Sequence, residues 1–307
     1  MAEFTLQLNP VAPFRLDLTA WALRRRPNNA IDLWDGQSYG RVFTYGGVPV
    51  RVWVRQTKPS GTPEVEMKAV SAGRLSPMIK NELVKVVERT LGLRADLSAF
   101  YEMAGTDHRV GLLVRRYMGV KPPRFPTVFE ALVNAIACQQ LTVLVGITLL
   151  NRLARKWGTR IGTSEDAFGF PLPHELRRAR SESLQALGFS RQKTKALLGL
   201  VRRYGSDTGE LEALAVSTDD EAISKLLELR GIGRWSAEYA MLRGLGRLNV
   251  FPADDVAGQK SLRRWMRLKR NPSSERVRQL LERWHPYQGL LYFHFLLANL
   301  ESDGMLV

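Results

Sequence analysis

Leu226-Leu-Glu-Leu-Arg-Gly231-Ile232-Gly233-Arg234-Trp235-Ser-Ala-Glu-Tyr239-Ala-Met241 is the stretch on which the reading of this chain turns. It reads as two helices joined by a very tight turn. Glycine at 231 and 233 permits positive φ and close backbone approach. Ile232 between them can drop into a core and pin the turn. The second helix starts at Arg234 with free amide groups beside a glycine, a geometry that suits a phosphate. Taken alone, such a hairpin is an ordinary helical corner with a glycine cap.

The next segment narrows the reading. Beyond Gly244 comes Val250-Phe-Pro-Ala-Asp254-Asp255-Val-Ala-Gly-Gln-Lys260. Two aspartates at the mouth of a helix fit an N-cap and a first-turn acid, and Asp254 needs no other explanation. Asp255 admits a second one. A carboxylate that follows a phosphate-gripping hairpin can face a DNA sugar, and helix-terminal amides would hold it ionised.

Further out, the fold class reads as α+β, with an antiparallel sheet unit over residues 1–118 and an all-helical unit over 119–307. Tyr39–Tyr45 and Val48–Val54 alternate as strands joined by Gly46-Gly47. Ser76–Leu91 and Leu97–Met103 read as helices. Lys121-Pro-Pro-Arg-Phe-Pro-Thr127 marks the boundary. Thr127 N-caps the next helix, with Glu130 completing a capping box. Helices are expected at Thr142–Trp157, Ser181–Leu187, Arg191–Tyr204, Asp219–Leu229, Arg234–Arg243, Val256–Met266, Ser274–Trp284 and Tyr287–Asn299.

Charge points the same way. With 45 Lys plus Arg against 30 Asp plus Glu, the formal net charge is +15. Such a surplus suits a polyanionic partner, although general solubility explains it as well. No apolar run is long enough to span a bilayer, and MAEFTLQLNP has neither a basic nor an apolar leader region. The lone Cys138 excludes an internal disulfide and a four-cysteine cluster, and is expected to be core. The four histidines lack metal-ligand spacing.

Leu229–Tyr239 followed by Pro252-Ala-Asp-Asp255 resembles the helix-hairpin-helix (HhH-GPD) DNA glycosylase superfamily, in particular 3-methyladenine DNA glycosylase II. Phe129-Glu-Ala-Leu-Val-Asn-Ala-Ile-Ala-Cys-Gln139-Gln140-Leu-Thr, Leu187–Leu197 and Arg283-Trp-His-Pro-Tyr287 extend the resemblance. It implies a base-excision enzyme acting on duplex DNA with damaged bases, as a monomer, without an organic or redox cofactor. It would act in the cytoplasm with the nucleoid in a prokaryote and in the nucleus in a eukaryote.

The resemblance also implies roles. Asp255 falls at the catalytic aspartate, which stabilises an oxocarbenium-like sugar cation. Trp235 stands where bifunctional members carry a lysine, so a monofunctional enzyme is expected. Trp235 and Tyr239 match pocket aromatics that would face a flipped electron-poor base, although aromatics four apart on a helix also pack cores. Gln140 falls at the residue that fills the flipped-out gap, or is a polar helix end. Gly231, Ile232, Gly233 and Arg234 are the candidate DNA contacts. The hairpin carbonyls near Gly231 and Gly233 would hold a monovalent cation, with no side-chain metal ligands. Leu296 stands where relatives place a third aromatic. Two basic clusters, one from Arg191 to Arg203 and one from Arg263 to Arg270, make a DNA footprint credible. The alternatives are a glycosylase for oxidised guanine or another lesion, and a non-catalytic DNA-binding module, which would have no use for Asp255.

Overall fold

Alternating apolar residues in Val65–Ser71 and Val48–Gln56 put Val65, Met67 and Ala69, and Val50, Val52 and Val54, on one buried face. The structure, a computed structural model, describes residues 2–161 and 167–306. Its sheet holds β1 (Ala2–Leu8), β2 (Leu33–Trp34), β3 (Ser38–Tyr45), β4 (Val48–Gln56) and β5 (Val65–Ser71). The order is β1-β5-β4-β3-β2, with every pairing antiparallel. Tyr45 pairs with Val48, so Gly46 and Gly47 form the two-residue turn, at φ 55° and 75°.

The helices in the first part of the chain are α1 (Leu16–Arg24), α2 (Pro77–Leu91), α3 (Ser98–Gly105) and α4 (Val110–Arg116). Then come α5 (Val128–Cys138), α6 (Val143–Trp157), α7 (Ser181–Ala186), α8 (Arg191–Tyr204), α9 (Gly209–Ala213) and α10 (Asp219–Leu227). The last are α11 (Arg234–Ala240), α12 (Val256–Met266), α13 (Ser274–Leu281) and α14 (Gln288–Ser302). The α+β reading holds. The sequence does not single out α1, α4, α9, β1, β2 or β5, and among the described residues between α6 and α7 a bridge joins Arg160 to Phe168 and a short 3-10 turn spans Glu175–Arg178.

Packing crosses the expected boundary. One core joins the sheet, α2, α5, α6, α8 and α11, while a second joins α3 and α4 to α12 and α14. The segment 121–127 is packed, with Lys121, Pro122, Pro123 and Phe125 buried. A division at residue 118 is therefore proposed only as one of chain order.

The capping box at Thr127 forms by half. The Thr127 hydroxyl accepts from the Glu130 amide, but the Glu130 carboxylate accepts two bonds from Arg41 of β3, at 2.6 and 2.7 Å. Arg41 also donates to Asp32 at 2.6 Å. A buried guanidinium needs compensation more than the half-buried Thr127 amide needs a cap, so it takes the acid. Burial pushes the Glu130 carboxyl up to about 7, with Arg41 opposing the shift. Asn134, one turn along α5, accepts from Arg25 at 2.7 Å.

Candidate active site

The hairpin sits between α10 and α11. Gly231 has φ 81°, and a Cβ there would lie 2.5 Å from that of Ala196. Gly233 differs from expectation: at φ −93° its backbone is extended, and a Cβ would meet open space. Ile232 is buried as its apolar character requires. Gln139, at the end of α5, donates from Nε2 to the Gly231 carbonyl and to the Ser236 hydroxyl, both at 2.8 Å. That amide bolts the hairpin to α5. The Leu229 oxygen accepts from the Ile232 amide at 3.0 Å, so the carbonyls at Gly231 and Leu229 each carry one hydrogen bond. No cluster of metal-ligating side chains occurs among the described residues.

Asp255 N-caps α12, and its Oδ1 accepts from the Gly258 amide at 2.7 Å. Asp254 therefore does not cap; it is exposed and accepts from the Ser274 hydroxyl. Asp255 Oδ2 accepts from Trp235 Nε1 at 3.0 Å. As expected, the helix amides favour the ionised acid, but they are not the largest influence on it. Burial raises its pKa above the ordinary value, against the opposing bonds from Gly258, Trp235 and Ala257.

Trp235 and Tyr239 do not form two walls of a slot. Their rings stack on each other, with centroids 5.3 Å apart and an interplanar angle of 23°. A base between them would need roughly 7 Å of separation, the outer limit for ring contacts. Trp235 is half-buried and Tyr239 buried behind it. The Tyr239 hydroxyl accepts from Arg25 Nη1 at 2.9 Å, and Phe125 lies 6.2 Å from the ring. Arg243 is fully buried, donates to Ala22 O at 2.9 Å and lies over the Phe125, Tyr239 and Phe293 rings. Neither Arg25 nor Arg243 pairs with a carboxylate among the described residues. Arg25 Nε and Arg243 Nε and Nη2 have no hydrogen-bond partner there.

Sequence reasoning missed Arg25, Asn134, Gln139, Glu238, Arg243, Arg278 and Tyr292 as parts of the site. Tyr292 precedes Leu296 by one turn of α14. Burial pushes its phenol well up, with the charges of Asp255 and Tyr239 adding and those of Arg243 and Arg25 opposing. Leu296 is half-buried and packs on the second core.

Gln140 is exposed at φ 52°, between α5 and α6, with Leu141, Leu144 and Val145 exposed beside it. Cys138 is half-buried against Gly146, less enclosed than a core residue. Lys193 leaves the basic footprint, because it is buried and donates to Ala137 O at 2.7 Å. A cavity of about 370 Å³ lies away from Asp255, between the sheet and α5, with Arg41, Tyr45, Phe129 and Glu130 in its lining.

The chain is 26% identical over 216 residues to a DNA-3-methyladenine glycosylase of Bacillus subtilis (strain 168), covering 70% of this chain and 71% of that one. It is 29% identical over 178 residues to DNA-3-methyladenine glycosylase 2 of Escherichia coli (strain K12), covering 57% and 59%. A solved 3-methyladenine DNA glycosylase from Archaeoglobus fulgidus matches with a TM-score of 0.82 at 22% identity, over 96% of this chain and 98% of that one. That likeness shows the fold. Residues 133–286 match the model of the HhH-GPD superfamily of base excision DNA repair proteins. Running from the middle of α5 to the turn before α14, this match covers half of the sequence, and the chain belongs to that superfamily.

Proposed function

We propose that the protein is a monofunctional DNA glycosylase that flips an alkylated purine from duplex DNA and hydrolyses its N-glycosidic bond, acting as a monomer in the compartment that holds the DNA. The observation that carries this reading is Asp255, a half-buried carboxylate capped on a helix start and aligned by an indole N–H. As the bond to a cationic base lengthens, positive charge grows on the sugar. An ionised carboxylate beside C1′ stabilises that charge and orients the attacking water. The alkylated base is already cationic and departs neutral, so no second acid is required, unlike in most glycosidases.

The flipped base would stack on the free face of Trp235, with Tyr239 behind it as an electron-rich second layer. Gly231, Ile232, Gly233 and Arg234 present the hairpin to the DNA backbone, and Gln140 at its exposed left-handed position reaches toward the gap. No helix among the described residues is long and apolar enough to cross a membrane.

A second reading is favoured by Arg25 and Arg243. Two buried guanidiniums without carboxylate partners repel a cationic base and stabilise the anion left by a neutral one, which suits lesions such as oxidised purines. Single-lesion duplexes carrying 7-methylguanine, 3-methyladenine, hypoxanthine or 8-oxoguanine test both readings. Release of the alkylated purines with no borohydride-trapped adduct is expected. A trapped adduct would mean that an amine serves as the nucleophile, and release of none of these bases would defeat the reading altogether.

A further inference from the structure

Glu238 lies within the hairpin stretch, yet neither capping nor base stacking accounts for it. Its carboxylate is buried, with 3% of its surface exposed. Oε2 accepts from the Ala253 amide at 3.0 Å, two residues before Asp255. Oε1 accepts from Arg234 Nε at 2.7 Å and from Arg278 Nη2 at 3.1 Å. Both arginine side chains remain about half exposed, at 52% and 45%. Within the turn before α12, Asp255 N donates to Pro252 O and Gln259 Nε2 to Ala253 O, both at 2.9 Å, and Asp254 accepts from the Ser274 hydroxyl at the start of α13. Thus α11 grips this turn twice, through Glu238 on the backbone and through Trp235 on the acid itself.

A buried carboxylate that only neutralised two arginines would be weak support for the fold, because desolvation offsets much of the attraction. The third bond changes its meaning. Reacting groups must be held to within a fraction of an ångström, and a misplacement of about 1 Å can cost roughly 100-fold in rate.

We propose that Glu238 is the positioning residue of this site, fixing the Asp255 turn against α11 while holding Arg234 and Arg278 as a paired edge for DNA phosphate. Grip on the backbone and placement of the acid are then one rigid unit. This rests on Asp255 being the catalytic carboxylate.

The test compares Glu238→Ala with Glu238→Gln. The Gln amide oxygen still accepts from Ala253, while its NH2 group opposes the arginines. Glu238→Ala is expected to lower single-turnover base release by about 30-fold or more and to speed hydrogen exchange of the Ala253 amide. Glu238→Gln is expected to keep that exchange slow and the rate within about fivefold of wild type, while weakening binding to an abasic-analogue duplex by about threefold or more. A wild-type rate with unchanged Ala253 exchange in Glu238→Ala overturns the proposal. So does a rate loss in Glu238→Gln as large as in Glu238→Ala, since the ion pairs alone would then set the rate. Wild-type protein that releases no base defeats the glycosylase reading instead, and the exchange of Ala253 in Glu238→Ala still decides whether the tether exists.

Discussion

Trp235 donates its indole N–H to the carboxylate of Asp255 at 3.0 Å, so the ring that would meet the base also orients the acid. This bond favours the ionised acid, while burial favours the neutral one and wins. Trp235→Phe keeps a ring and removes the donor, so the Asp255 pKa should rise further. The acid limb of a single-turnover pH profile should then move to higher pH. Trp235→Phe with a wild-type profile but a weakened rate would assign the indole to stacking alone.

Asp255→Asn should leave α12 intact, because Asn is as good an N-cap as Asp. Base release should fall by on the order of 100-fold or more, the scale of losing one aligned electrostatic group. Duplex binding should hold or tighten as a negative charge near phosphate disappears. Excision within tenfold of wild type would remove Asp255 from the chemistry.

The two hairpin glycines should behave differently. Gly231→Ala forces a side chain into Ala196 at positive φ, costing about 1–3 kcal/mol in denaturant unfolding. Gly233→Ala meets nothing and should leave stability within about 0.5 kcal/mol. Any loss of duplex affinity in Gly233→Ala then reports close approach of DNA to the backbone. Unchanged affinity would argue that the hairpin does not touch phosphate.

Arg25→Met removes one of two buried charges while keeping an unbranched side chain. Over a separation of about 10 Å at an effective dielectric of about 20, a unit charge is worth ~1.7 kcal/mol. The ratio of hypoxanthine to 7-methylguanine release should therefore shift by roughly tenfold toward the cationic base. Tyr239→Phe, which loses the hydrogen bond but not the charge, should shift it far less. Equal shifts in both variants would point to wall geometry rather than charge.

Much of this was legible because it is local. Ser76, Thr127 and Thr142 announce helix starts through side-chain caps, and Gly46-Gly47 announces the hairpin between β3 and β4. The hairpin and Asp255 are contiguous signals as well. β5 carries a readable alternation, whereas β1, with only Leu8 buried, carries almost none. Arg25, Asn134, Glu238 and Arg278 could not be read, because a charged or polar side chain looks solvated until distant elements close around it. Glu130 shows the same limit in reverse: its local capping signal is present, and Arg41 from the sheet outcompetes it.

The segment matched to the superfamily, 133–286, contains Asp255, Trp235 and Tyr239, whereas Arg25, Phe125 and Tyr292 lie outside it. The proposed pocket is therefore written in two parts of the gene, with Trp235, Tyr239 and Arg243 inside the matched segment and Arg25, Phe125 and Tyr292 outside it. A graft of this segment onto a relative would carry over Asp255 and the hairpin together with Tyr239 and Arg243, while the recipient would supply the positions of Arg25, Phe125 and Tyr292. Substitutions at Arg25, Phe125 or Tyr292 are therefore expected to change which base is released while leaving Asp255 and its helix start in place.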